Sequence, residues 1–282
     1  MPKFGVARKY TKNILDYIIT LSQNNIEAYE MGFAYSIPSV FPNEIITSSK
    51  KSGVSLSCHL PFWINLGNFK NEKNVNYLVS GLKTAEMLGS VAVFHLGFYG
   101  KKKFNDLKEN IINVIQEVLK KSNVEKGKLG IEITGKQRAI GTVDEIIELI
   151  NLINDDRIIP VIDWSHLYGR NNGTYPYTYD DFKEVLEKFE KKIGYRPYYF
   201  HGGGIEYKNG NEVKHTSPKI NEPPLPHLFE VLQDLGYKDF IFIVESPSSI
   251  EDVKWIKEVW KSPKNFEVPH KRPKTLFDFG GK

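Results

Sequence analysis

The chain has a single cysteine, Cys58, in 282 residues. That excludes an intrachain disulfide and any zinc cluster built on several thiolates, and it suits a reducing compartment. A metal held here must therefore rest on His, Asp and Glu. Long apolar runs are missing too, since none approaches the ~18 residues needed to cross a bilayer. The opening, MPKFGVARKY, lacks the charged, apolar and small-residue regions of a secretory leader. We expect a cytoplasmic protein with no membrane contact. No fixed-length repeat points to a solenoid. Charge of one sign is scarce, with 38 Lys and Arg against 34 Asp and Glu for a net of +4. This balance permits a polyanionic partner without demanding one.

What the chain does have is alternation. Short β-branched or aromatic runs (KFGVA, EAYEMGF, VSLSCHL, VAVFHLG, LGIEIT, IPVIDW, YYFHGG and FIFIVES) alternate with longer amphipathic stretches up to about Trp260. In NDLKENIINVIQEVLKK, for example, Leu107, Ile111, Ile112, Ile115, Val118 and Leu119 mark one helical face. Eight such units predict an α/β fold, a single (β/α)8 TIM barrel over residues 1–260, and the length fits a barrel of ~250 residues. Residues 261–282, rich in Pro, Lys and Gly, read as a flexible basic C-terminal tail. We expect a monomer.

The ends of the predicted strands carry the chemistry. The third strand ends in His59, the fourth in His95 and the fifth in Glu132. The sixth ends in Asp163 with His166 just beyond, the seventh in His201 and the eighth in Glu245; His215 follows in the long seventh loop. In a barrel all these ends open on one face, where such folds place their active sites. One histidine at a strand end is more often a hydrogen-bonded structural residue than a ligand. Imidazoles and carboxylates crowded together are different, because burying them is costly unless cations neutralise them. This donor set suits Zn²⁺, Mn²⁺ or Fe²⁺, and it exceeds what one tetrahedral ion can use, so two or three ions are expected. Cys58 should face away from its neighbour His59, toward the helices. His227 and His270 fall away from the cluster. Glu30, also near a strand end, reads equally as a support for the cluster or as an ordinary ion pair.

The segments CHLPFWINLGNF, VFHLG, GIEITG, VIDWSH, YFHGGGIEY and IVESP, in this order, resemble the endonuclease IV family of abasic-site nucleases up to about Trp260. The H-x-P-[FY]-x-I-N-L stretch is the specific part. The resemblance implies that His59, His95 and Glu132 hold a first zinc ion. Glu132 would bridge to a second, held also by Asp163, His201 and Glu245, while His166 and His215 would serve a third. It further implies damaged double-stranded DNA as substrate, cut 5′ to the abasic site during base excision repair. Water activated by the metals would attack phosphorus in line, oriented by Glu132 and Glu245 as the catalytic carboxylates. Phe62 stands where the family has a wedging tyrosine, and Tyr35 would substitute for an arginine that probes the DNA stack. Phe62 and Trp63 are thus candidate DNA contacts, with packing against the barrel rim as their competing role.

Two departures stand out. Where the family's seventh loop has Asp-x-His, this chain reads Val213-Lys214-His215, so the third ion is weaker, absent, or completed by Glu206 or Glu212. The second loop, GFAYSIPSVF, contains no arginine. A sugar isomerase or epimerase on the same barrel, or a damage-binding protein that has lost the chemistry, would present similar ligands. Near the C-terminus, KTLFDF partly resembles the peptides with which repair proteins dock onto the sliding clamp, although Pro273 and Gly280 replace the usual Gln and second aromatic.

Overall fold

A computed structural model describes residues 1–11, 13–38, 41–67 and 72–268. Elements follow in the predicted alternation: β1 (Lys3–Lys9), α1 (Ile14–Gln23), β2 (Ala28–Gly32), α2 (Asn43–Ser52), β3 (Ser55–His59), α3 (Glu72–Leu88), β4 (Val91–Phe94) and α4 (Phe104–Ser122). The second half has β5 (Lys128–Glu132), α5 (Val143–Ile153), β6 (Ile158–Asp163), α6 (Trp164–Arg170), α7 (Tyr179–Ile193) and β7 (Tyr199–Gly202). It then departs from simple alternation, with β8 (Gly204–Lys208) and β9 (Asn211–Thr216) before α8 (Leu225–Asp234), β10 (Ile241–Val244) and α9 (Ser249–Lys261). The KTLFDF segment lies outside the described residues.

Eight strands close into a parallel barrel, with β1 paired to both β2 and β10. The fold is a single (β/α)8 barrel. Local signals support the helices that build its outer layer: Thr142 and Glu145 form a capping box on α5, and Thr178 and Asp181 do the same on α7. Cys58 is fully buried between barrel and helices, on the side expected from strand alternation.

Inside the barrel, inward-facing residues change character along the axis. A small apolar cluster of Ala28, Val91, Val93, Ile159, Val161, Tyr199 and Ile243 fills the lower part. One inward step further, the same strands and their ends offer Glu30, His95, Asp163, His201 and Glu245 in place of hydrocarbon, and β5 adds Glu132. The unpredicted β8–β9 hairpin stands over this end. It is antiparallel, packs against α6 and docks on the β5–α5 loop through a bridge between Lys136 and Asn211.

Candidate metal centre

The strand-end residues converge. The Nε2 atoms of His59 and His95 lie 2.9 and 2.7 Å from the same oxygen of Glu132, Oε2. The other oxygen, Oε1, lies 3.1 Å from His201 Nδ1 and 3.3 Å from His166 Nδ1. Glu132 therefore faces two groups, one with each oxygen. His201 Nδ1 is also 3.2 Å from Glu245 Oε1, and Glu245 Oε2 is 3.1 Å from His215 Nε2. Three sets of donors form within 4.8 Å: His59, His95 and Glu132; Glu132, Asp163, His201 and Glu245; and Asp163, His166 and His215.

Hydrogen bonds behind the rings decide which nitrogen faces the centre. His59 Nδ1 is 2.8 Å from the Leu60 carbonyl and His166 Nδ1 is 3.0 Å from that of Ile133. A carbonyl only accepts, so both Nδ1 atoms carry hydrogen and both Nε2 atoms turn lone pairs inward. His201 lies between carboxylates, with Nε2 3.0 Å from Glu30 and Nδ1 3.1 Å from Glu132, so a neutral ring turns a lone pair toward a carboxylate whichever nitrogen carries the hydrogen. Lone pairs set against carboxylate oxygens repel unless a proton or a metal ion lies between them. His95 Nε2, although 2.7 Å from Glu132 Oε2, and Asp163 Oδ2, 3.2 Å from His166 Nδ1, are buried without making a hydrogen bond. This donor set fits divalent metal.

The electrostatics point the same way. Burial would lower the pKa of His59, but hydrogen bonding and charge from Glu132 outweigh it and carry the value up to about 9. His166 and His201 are raised well above the ordinary imidazole range, because Asp163 in one case and Glu30 in the other overcome burial. Glu132 is held well below the usual carboxylate range by His95 and His201 despite burial. Asp163, by contrast, is pushed up by burial. The pocket gathers cationic stabilisation that bound metal would supply.

Glu30 takes the first of its two expected roles, and Asn65 and Arg170 add supports that were not read from the sequence. Glu30 is buried and also accepts from Tyr199 Oη at 2.7 Å, with Ser57 Oγ 2.6 Å from that same hydroxyl. It is thus tied to the cluster and not to solvent. Asn65, in the WINLG segment, accepts from the backbone of Gly67 and of Phe98, both at 3.1 Å, fastening the loop after His59 to the loop after His95. The close approach leaves no room for a side chain at Gly97, which has φ +104°. Arg170, nearly buried, donates to the carbonyls of Thr134, Lys136, Gln137 and Ala139 and so braces the β5–α5 loop.

Around the mouth, Tyr35 is 78% and Phe62 71% exposed. Trp63 turns the other way: its Nε1 donates to the Ala34 carbonyl at 3.1 Å and its ring stands edge-on to Tyr77 at 4.5 Å. Val213 is exposed, as is Glu206, which pairs with Lys214 at 3.0 Å. Glu212 instead joins His59, His95, Glu132, His166, His215 and Glu245 in lining a pocket of about 350 Å³. A larger concavity of about 800 Å³ lies near α7, α8 and residues 263–268. It offers one imidazole, His227, whose pKa burial lowers, and so lacks a comparable donor cluster.

Residues 22–262 match the family described as xylose isomerase-like TIM barrel. The uncharacterized protein MJ0133 of Methanocaldococcus jannaschii is 33% identical over 240 residues, covering 80% of this chain and 84% of its own length. Among solved structures, endonuclease IV from Thermus thermophilus superposes with a TM-score of 0.70 at 20% identity, covering 94% of this chain and 99% of that one. A D-tagatose 3-epimerase-like protein gives 0.69 at 20% identity, covering 93% and 97%. The AP endonuclease, family 2, from Brucella melitensis gives 0.66 at 13% identity, covering 92% and 99%. These superpositions describe the fold and extend to proteins with different substrates. Closed barrel, strand-end donors and matched sequence together make the chain a member of the xylose isomerase-like TIM barrel family.

Proposed function

We propose that the protein is a metal-dependent endonuclease that cuts double-stranded DNA on the 5′ side of abasic sites. The observation that carries this reading is the pairing of a three-part donor cluster with an open rim free of acidic residues on several sides. The loops after β2, β3, β4 and β5 contain no Asp or Glu, while the last two contribute Lys101, Lys102, Lys103, Lys136 and Arg138. A phosphate backbone needs such cations and a neutral sugar does not. Exposed Phe62 and Tyr35 offer rings able to enter a gap in the base stack.

His59, His95, Glu132, Asp163, His166, His201, His215 and Glu245 would hold the metal, most suitably zinc or manganese. Bound there, divalent ions would lower the pKa of water and offset charge on the phosphoryl oxygens. Glu132 and Glu245 both line the pocket with their carboxylates, which suits them to orient an attacking water. Lys9 lies at the mouth. Two residues above Ala7, which packs on the inner apolar cluster, it continues that face of β1, and its ammonium would be available to an entering phosphate.

The fold likeness to a D-tagatose 3-epimerase-like protein supports a second reading, a metal-dependent isomerase or epimerase using the same ligands on a small polyol. A single ion would use four to six of these donors and leave the others without a task. A duplex bearing one abasic site, incubated with protein and with or without chelator, separates the readings. Chelator-sensitive cleavage 5′ of the lesion is expected. Binding without cleavage in any divalent metal would favour a damage sensor, and turnover of a ketose without action on DNA would overturn the nuclease.

A further inference from the structure

We infer that Glu212 supplies the carboxylate of a third cation position beside His166 and His215, and that a β-bulge at Val213 brings it there. The inference rests on the metal-dependent reading above. In a regular strand, residues three apart face opposite sides. Glu212 and His215 are three apart in β9, yet both turn into the pocket. The pairing explains how. Glu206 lies opposite Lys214 and Tyr207 opposite Glu212, so Val213 has no partner on β8. One extra residue on one strand is a bulge, and it resets the alternation by one position. Val213 consequently faces solvent at 55% exposure, Lys214 meets Glu206 on the outer side, and Glu212 rejoins His215 on the inner one.

Main-chain contacts hold Glu212 in place. Its N–H donates to the Gly135 carbonyl at 2.8 Å, where the hairpin meets the β5–α5 loop. A Cβ at Gly135 would stand 2.9 Å from the Cβ of Glu212 and 2.8 Å from His166 Cδ2, so any side chain there would push both residues away. Glu212 Oε2 lies 3.5 Å from His166 Nε2, and Oε1 lies 3.8 Å from His215 Nε2. Those separations are long for hydrogen bonds. They are close to the ~3.4 Å that separates two ligand atoms on one tetrahedral ion with bonds of ~2.1 Å. His166 Nδ1 is already committed to the Ile133 carbonyl, so the nitrogen facing Glu212 carries a lone pair. Asp163 Oδ2, buried without a hydrogen bond, lies 3.2 Å from the other ring nitrogen, Nδ1, and groups with His166 and His215 as a further donor.

The test counts metal without DNA. The full chain is loaded with Zn²⁺, dialysed, and its ions per chain are measured by mass spectrometry, with Co²⁺ absorption as a second readout. Glu212→Gln should lose one ion equivalent, or bind that ion at least tenfold more weakly, while Glu206→Gln on the same hairpin should keep the full complement. Deleting Val213 leaves Glu212 and His215 two apart on one face of a regular strand, and should also keep it. Glu212→Gln with the parental count and affinity, or loss of the ion in Glu206→Gln, overturns the assignment. Circular dichroism confirms that each variant is folded before counting. A parent protein that fails to cut abasic DNA refutes the nuclease and leaves this count unaffected.

Discussion

The Nε2 of His201 lies 3.0 Å from Oε2 of Glu30, although the two residues are 171 positions apart in the chain. Both are fully buried, and a hydrogen bond from Nε2 to Glu30 would leave the Nδ1 lone pair facing the pocket. Glu30 would thereby act on a bound metal through His201 without being among its candidate ligands.

Glu30→Ala should weaken binding of the ion shared by Glu132, Asp163, His201 and Glu245 by about 10–100-fold, the usual effect of removing such a partner. Zinc titration against a competing chelator measures this, and excess metal should restore activity. Unchanged affinity would show that His201 needs no partner to hold its tautomer.

Glu132 offers one oxygen to each of two donor groups, so Glu132→Gln should weaken two ions together. Activity should fall by more than the ~100-fold typical of outer partners. Loss of a single ion, measured as metal per chain, would refute the bridging role.

Metal removal should make stability depend on pH. His59 rises in the folded protein to about 9 from an ordinary value of 6.5, as Glu132 outweighs burial. Folding then favours its protonated form, so this contribution is complete below pH 6.5 and is lost as pH rises through about 9. His166 and His201 shift in the same direction. Chelator-treated protein should melt at a lower temperature at about pH 9 than at about pH 6.5, and zinc should largely remove the difference. Equal melting temperatures without metal would contradict this account.

Lys9→Gln should raise KM for abasic DNA and leave kcat nearly unchanged, because the ammonium would meet phosphate in the ground and transition states alike. The slope of log affinity against log salt should shrink by about one. An unchanged slope would remove Lys9 from the DNA interface.

The barrel and most of its pocket were legible because ionisable residues ending apolar runs are poor core residues. His95 after VAVF and Glu245 after IFIV announce a change of environment within one position. The supports were harder to read. Glu30 stands near a strand end like the others, but its partners Tyr199 and His201 come from the far side of the barrel. Asn65 works through backbone N–H groups, which leave no mark on residue type. The hairpin was hidden for a different reason: the bulge at Val213 interrupts the two-residue period by which strands are recognised. Glu206 and Glu212 were therefore equivalent in the sequence, and only strand pairing separates them.

The apolar plug of Val91, Val93, Ile159, Val161 and Ile243 lies directly beneath the charged ring. Hydrocarbon of low polarisability there shuts off the rear of the barrel to water and to counter-ions. Field lines from cations held above it would be squeezed out through the mouth, because low-dielectric walls focus potential toward solvent. An approaching anion would then feel attraction from one direction alone. The greasy floor of the barrel would in this way act as a lens for the chemistry above it.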